Sequence, residues 1–282
     1  MTDALEMSKT NGTKNVAVVV PFHKQTMDAD EETSYRHLTQ YLGRYDKFLV
    51  VPESLYVDFP GFTVKRFAEK YFSSAALNSA LHLTEEFYES FATYEYILIY
   101  QLDALVFSDE LLNWCARGFD YVGAPWFEED GADFIRGAAV GNGGLSLRRV
   151  ESFLNVTRAP AFGKEMERYR DAFVELLPAH QRIADMPRKA VRRIRSLARR
   201  EQGGSGRPPV DPGARYNEDC FWSFRASRYD PGFKVAPVAQ ALEFAFEMNP
   251  QRCFERNGRR LPFGCHAWNK YDRAFWEPYL IK

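Results

Sequence analysis

Residues Tyr94–Tyr100 (YEYILIY) form a short, almost wholly apolar run that stops abruptly at Gln101-Leu102-Asp103-Ala104. So short and apolar a run reads as a central strand buried on both faces, which calls for helices on both sides of a mainly parallel sheet. Asn15–Val20 (NVAVVV) has the same character and ends at Pro21, leaving Pro21-Phe22-His23-Lys24 as a loop at its carboxyl end. A helix is expected over Glu31–Tyr41, then strands at Lys47–Val51 and Phe62–Phe67. This β-α-β-β order begins an α/β domain.

Residues 73–92 are expected as one helix, capped by Ser73 or Ser74. Leu77, Ala80, Leu81, Phe87, Tyr88 and Phe91 recur there at three- and four-residue intervals. A short helix near Asp109–Arg117 and a strand at Asp120–Pro125 follow. The glycine cluster Val140–Gly144 then leads into Leu145-Ser146-Leu147, with helices at Val150–Leu154 and Phe162–Leu177. Between Met186 and Arg215 the composition shifts. Arg188, Lys189, Arg192, Arg193, Arg195, Arg199 and Arg200 precede Gly203-Gly204-Ser205-Gly206 and Pro208-Pro209, reading as a basic helix and flexible linker inserted over the active face. Order resumes at Asn217-Glu218-Asp219, which open an aromatic helix, and a last region runs from Phe233 to Trp276. The expected organisation is a flexible N-terminus over 1–14 and one domain over 15–282, with no internal repeat.

An apolar content of 45% over 282 residues suffices for one sizeable core or two small ones. A net charge of -1 argues against a general polyanion binder. No run approaches the roughly 18 apolar residues of a membrane span. The polar segment 1–15 resembles neither a signal nor a transit peptide, so a cytoplasmic protein is expected, one that could be membrane-peripheral. In that setting the sequons at Asn11 and Asn155 carry no glycosylation signal. Cys115, Cys220, Cys253 and Cys265 form no CxxC pair, which argues against a zinc ribbon or thioredoxin-type site, and Cys253 and Cys265, even if close in space, are expected reduced.

Four places could carry chemistry. Asp103 ends a buried strand, where open α/β sheets bind ligands, and could hold Mg²⁺ or Mn²⁺ together with a diphosphate; an acid making a turn reads equally well. His266, in Gly264-Cys265-His266-Ala267-Trp268, could complete such a metal shell or be a satisfied core histidine. Asn217 could cap a helix with Glu218 and Asp219 in its first turn, where the helix N-terminus would favour the ionised carboxylate a general base needs; an acidic first turn is also ordinary helix chemistry. The glycines around Asn142 permit positive φ and close backbone approach, for sugar hydroxyls or for a plain turn, and lack dinucleotide or P-loop spacing.

Taken in order, the strand-end acid, glycine loop, x-Glu-Asp helix start and C-terminal histidine resemble the constellation of GT-A glycosyltransferases. More narrowly, Tyr-Gln-Leu-Asp-Ala at 100–104, Tyr-Val-Gly-Ala-Pro-Trp at 121–126, Val-Gly-Asn-Gly-Gly at 140–144, Asn-Glu-Asp at 217–219 and Pro-Phe-Gly-Cys-His-Ala-Trp at 262–268 are similar to a family first catalogued as a domain of unknown function and grouped with glycosyltransferases. The resemblance implies a GT-A-like, Rossmann-like three-layer sandwich. It makes Asp103 the last acid of an Asp-x-Asp metal motif, His266 the C-terminal metal ligand, and Asp219 the base, with Glu218 in reserve. Gly143 and Gly144, with Asn142, would approach donor sugar and acceptor, and Pro21, Phe22, His23 and Lys24 would cradle the nucleotide base. Gln101 departs from the motif by standing where an acid is expected. The implied reaction is inverting, Mn²⁺- or Mg²⁺-dependent transfer from a nucleotide sugar, expected to be a UDP-sugar, to a glycan or lipid-linked acceptor, as in polysaccharide assembly.

Two other classes stay open. One is a carbohydrate- or nucleotide-binding module that has lost turnover. The other is a nucleotidyltransferase, disfavoured because the Pro21–Lys24 loop has no glycine to hold triphosphate. The basic run Arg188–Arg200 reads as a solvated face or as a contact with anionic membrane. It lacks the interleaved aromatics of a nucleic-acid reader.

Overall fold

The computed structural model describes residues 14–132, 134–166 and 217–281. The basic run, most of the N-terminal segment and the end of the Phe162–Leu177 helix lie outside the described residues.

The apolar Val run becomes β1 (Lys14–Pro21), one residue earlier than the boundary read from sequence, and α1 (Ala29–Leu42) follows. Asp28 starts α1 with a full capping box: its side chain accepts from Asp30 N and Glu31 N, and Glu31 reaches back to the Asp28 N–H. Next come β2 (Asp46–Pro52) and β3 (Phe62–Phe67). The helix expected over 73–92 is two helices, α2 (Ala75–Leu81), capped by Ser74, and α3 (Glu85–Glu89), capped by Thr84. The Thr84 hydroxyl also donates to Leu81 O, so one side chain closes one helix and opens the next. The apolar period survives the break because Leu81, Phe87, Tyr88 and Phe91 join the same core.

β4 (Tyr94–Tyr100) is buried at every position but Glu95. After β5 (Leu105–Val106), α4 (Leu111–Ala116) and β6 (Tyr121–Val122), the strand expected over 120–125 divides. A Cβ at Gly123 would stand 1.8 Å from Gly141 O, so the chain is pinched there. It continues as β7 (Pro125–Phe127), which pairs in a separate ribbon with β8 (Ala138–Val140). Then come β9 (Leu145–Arg149), α5 (Val150–Thr157), α6 (Glu218–Phe224), α7 (Val238–Phe244), β10 (Ala245–Phe246), α8 (Pro250–Arg256), β11 (Gly264–Cys265) and α9 (Arg273–Trp276).

The central sheet has the order β3-β2-β1-β4-β9-β6. β1 through β4 are mutually parallel, β9 runs against β4, and β6 runs against β9, so β9 alone opposes the rest. Side-chain alternation supplies both faces. From β1 and β4, Val16, Val18, Val20, Leu98 and Tyr100 pack with Leu38 and Leu42 of α1. Ala17, Val19, Ile97 and Ile99 pack with Phe87, Phe153, Phe221 and Trp222 on the other side. The result is the expected α/β class, three layers around a mainly parallel sheet.

A second small sheet, β10-β11-β5, decides the site. β11 pairs antiparallel with β5, placing Cys265 opposite Leu105 and so bringing His266 beside Asp103. Trp268 N donates to Asp103 O at 3.1 Å, and His266 N to Phe246 O at 2.9 Å, pinning that turn. Among the described residues no helix is long and apolar enough to cross a membrane.

Candidate active site

A cleft of about 770 Å³ opens at the carboxyl ends of β1 and β4 and the start of β9. Its wall includes all twelve site residues named from sequence: Pro21, Phe22, His23, Lys24, Gln101, Asp103, Asn142, Gly143, Gly144, Glu218, Asp219 and His266. Parallel strands place ligands at this end, where the loops diverge.

The glycine loop is tight against its neighbours. A Cβ on Gly144 would sit 2.0 Å from His266 Nε2, and one on Gly143 would sit 2.0 Å from Glu218 Oε1. Neither glycine has positive φ; the left-handed residue is Asn142, at φ 72°. The glycines therefore serve close approach, and the expectation of glycine positive φ is corrected. Asn142 Oδ1 accepts from Gly144 N at 2.9 Å and Leu145 N at 3.0 Å, an asparagine turn that holds αL without glycine.

His266 Nδ1 lies 3.0 Å from Glu247 Oε1, and Trp126 Nε1 donates to Glu247 Oε2 at 3.2 Å. Its Nε2 lies 3.2 Å from Asp103 Oδ1 and 3.2 Å from Gln101 Oε1. Burial opposes an imidazolium, but Asp103 and Glu247 outweigh it and push the His266 pKa up to about 10. Burial likewise opposes ionised Asp103, yet the His266 charge beside it holds its pKa below the usual value.

The donor set fits a divalent cation shared with a phosphate ligand. Asp103 Oδ1 is buried, and its close contact among the described residues is the ion pair with His266 at 3.2 Å. The 3.2 Å spacings around Nε2 match neighbouring ligands of an octahedral ion, about 3 Å apart for bonds of about 2.1 Å. Among the described residues no three His, Cys, Asp or Glu groups cluster as a closed cage. Mg²⁺-type ions are commonly held by one or two carboxylates plus substrate phosphates.

Asp219 lines the same cleft, is half-buried, and its Oδ1 accepts from Cys220 N at 2.7 Å. Burial and then the neighbouring Glu218 push its pKa up to about 7. A helix N-terminus contributes only about 0.3–1 kcal/mol to a carboxylate's ionisation, so desolvation outweighs the expected helix effect and raises the pKa. Asn217 occupies the cap position without a side-chain cap hydrogen bond.

Glu218 is 3% exposed and accepts from Arg148 Nη2 at 2.8 Å. Arg148 is wholly buried and also donates to Tyr88 Oη at 2.9 Å and Ser146 Oγ at 3.0 Å. This ties Glu218 through Oε1, which counts against its role as a reserve base. Phe22 is buried with its ring 5.1 Å from that of Phe59, and Lys24 is paired to Asp28 and Glu31 at 3.0 and 2.8 Å. Lys270 also lines the cleft and has no carboxylate ion pair among the described residues.

Sequence reasoning missed Arg148, Glu247 and His82. Alternation along β9 puts Ser146 and Arg148 on the face opposite Leu145 and Leu147, so a cation facing a core was visible there. Glu247 follows the apolar Phe244-Ala245-Phe246 as Asp103 follows β4, and that signal was also present. His82 had none, since it depends on the break between α2 and α3.

A family model matches residues 61–266. The chain belongs to the family described as a protein of unknown function, DUF5672. The matched DUF5672 span contains Asp103, Asn142–Gly144 and Glu218–Asp219 and ends on His266, while the Pro21–Lys24 loop precedes it. No curated protein matches the chain. Among solved structures it is similar to the glycosyltransferase GlyE of Streptococcus pneumoniae TIGR4, at 13% identity and a TM-score of 0.43, covering 95% of this chain and 60% of that one. The DUF5672 chain thus spans about 60% of GlyE's length. It is also similar to a glycosyltransferase involved in glycosylating the major capsid of PBCV-1 (10% identity, TM-score 0.46, 94% and 98% covered). A third likeness is to the galactosyltransferase LgtC in complex with donor and acceptor sugar analogs (9%, 0.43, 89% and 86%). At these TM-scores the likeness is distant.

Proposed function

We propose that this protein is a GT-A-type glycosyltransferase that moves a sugar from a nucleoside-diphosphate donor to an acceptor hydroxyl with inversion. One observation carries the reading: Asp103, His266 and Gln101 meet within 3.2 Å in a cleft that Asp219 also lines, and the Asn142–Gly144 loop packs between His266 and Glu218.

Asp103 and His266, with Gln101 as a neutral third ligand, would hold Mn²⁺ or Mg²⁺, binding of which would release the Nε2 proton that His266 otherwise carries. When bound, that ion supplies Lewis-acid neutralisation of diphosphate charge. Glu247 fixes the His266 ring through Nδ1, leaving Nε2 toward the cleft. Lys270, with no carboxylate ion pair among the described residues, adds a positive contact for the diphosphate. The Pro21–Lys24 loop borders the nucleotide. Phe22 supports that loop from below, since its ring is already packed on Phe59.

Asp219 is the base. Its carboxylate takes the proton of the acceptor hydroxyl as that oxygen forms a bond to the anomeric carbon. The bond from that carbon to the diphosphate oxygen breaks, and the nucleoside diphosphate leaves with the electron pair. A pKa near 7 suits a base that must exist ionised yet bind a proton in the transition state.

Incubation with UDP-, GDP- and dTDP-hexoses, followed by NMR of the released sugar or product, tests the reading. Release of nucleoside diphosphate with inverted anomeric configuration, absent in Asp219→Asn, supports it. Intact donor throughout, with nucleotide still bound, favours a binding module of the same fold.

A further inference from the structure

The cleft also holds polar atoms that no hydrogen bond among the described residues satisfies. Glu218 Oε2 and His82 Nε2 are both buried without a hydrogen-bond partner, in residues 3% and 2% exposed that line the cleft. Buried polar groups are rarely left unpaired, and each unpaired one costs about 1–3 kcal/mol. The two residues are neighbours, with His82 Nδ1 3.9 Å from Glu218 Oε1. Asn78 and Ser79 of α2 line the same stretch of wall.

We propose that His82 and Glu218, flanked by Asn78 and Ser79, form a subsite that reads the hydroxyl groups of a neutral hexose. The proposal deepens the glycosyltransferase reading and rests on it. A sugar hydroxyl both donates and accepts. Glu218 Oε2 accepts, and the neutral imidazole of His82 offers either a donor or an acceptor according to tautomer. Burial and the nearby Arg148 charge hold His82 neutral. The subsite selects against a hexuronic acid. Its cation, Arg148, lies behind Glu218 and is already bonded to Glu218, Tyr88 and Ser146. Among the described residues, a sugar carboxylate would therefore meet the Glu218 carboxylate with no free positive group beside it. The lysines of the cleft, Lys24 and Lys270, belong to the loops after β1 and β11.

Calorimetry on wild type, His82→Ala and Glu218→Gln tests this with UDP, GDP and dTDP and their hexose and glucuronic acid conjugates. Saturation-transfer NMR with methyl hexosides, nucleoside diphosphate present, covers the acceptor. The expected result is that wild type binds a hexose conjugate more tightly than the parent diphosphate or the glucuronic acid conjugate. Both variants lose that increment by about tenfold or more, with diphosphate binding unchanged. If the loss falls instead on the methyl hexoside, the subsite serves the acceptor sugar and the proposal stands. Thermal melts check folding, and Asn78→Ala, which touches no buried ion pair, reports on the same wall should Glu218→Gln unfold. Variants that keep wild-type sugar binding in both arms, or a wild type that favours glucuronic acid, overturn the subsite and leave the diphosphate site intact. A wild type that binds no diphosphate overturns the glycosyltransferase reading and the subsite with it.

Discussion

The wholly buried guanidinium of Arg148 donates to Glu218 Oε1 at 2.8 Å, joining the antiparallel strand of the central sheet to the helix that carries Asp219. Removing one partner of such a pair leaves an uncompensated buried charge, which costs about 3–5 kcal/mol. Arg148→Met should therefore destabilise by that amount in urea unfolding. Adding Glu218→Gln removes the orphan charge, so the double variant should be more stable than the sum of the single losses. Simple additivity would mean the pair does not act as a unit.

Asp219 gives the protein a pH signature. Its pKa of about 7 predicts that kcat/KM falls as pH drops through 7, because the base becomes protonated. Glu218 contributes to the upward shift, so Glu218→Gln should move this limb to lower pH. A pH–rate profile reads both.

The same shift bears on stability. A folded pKa raised above the ordinary 3.8 means that ionising Asp219 weakens the fold as pH rises from about 4 to 7. Asp219→Asn should thus abolish turnover while stabilising by about 2 kcal/mol at pH 8, partial solvation included, with little gain at pH 4. Melting curves at the two pH values check it.

Gly144→Ala should displace the His266 ring, since the added Cβ would sit 2.0 Å from Nε2. The expected outcome is at least tenfold weaker Mn²⁺ binding by calorimetry. Gly163→Ala, where an added Cβ meets nothing within 4 Å, should leave it unchanged.

Glu247 holds His266 through Nδ1 at 3.0 Å. Losing a carboxylate behind a ligating histidine typically costs about 10–100-fold in metal affinity. Glu247→Gln should show that loss, measured by Mn²⁺ electron paramagnetic resonance, with no change in oligomeric state or helicity.

Much of this fold was legible because burial on both faces demands continuous apolar strands, and β1, β2 and β4 have them. Ser74 caps the helix start as expected, but the single helix over 73–92 overlooked Thr84, whose local hydrogen bonds override an unbroken apolar period. The strand at 120–125 divides where the backbone of Gly141 leaves no room beside Gly123, a contact between segments that local pattern does not encode. The site residues could be read in chain order, yet their meeting depends on β11 pairing with β5, two-residue strands too short to carry a periodic signal. The raised pKa of Asp219 was hidden for a related reason. Helix position is local, but desolvation is set by everything packed around it.

The most direct measurement is calorimetric titration of UDP, GDP and dTDP, with and without Mn²⁺, into wild type, Asp103→Ala and His266→Ala. One nucleotide should bind only with Mn²⁺ and lose that dependence in both variants. Binding of none of them to the wild type, with or without Mn²⁺, would contradict the account.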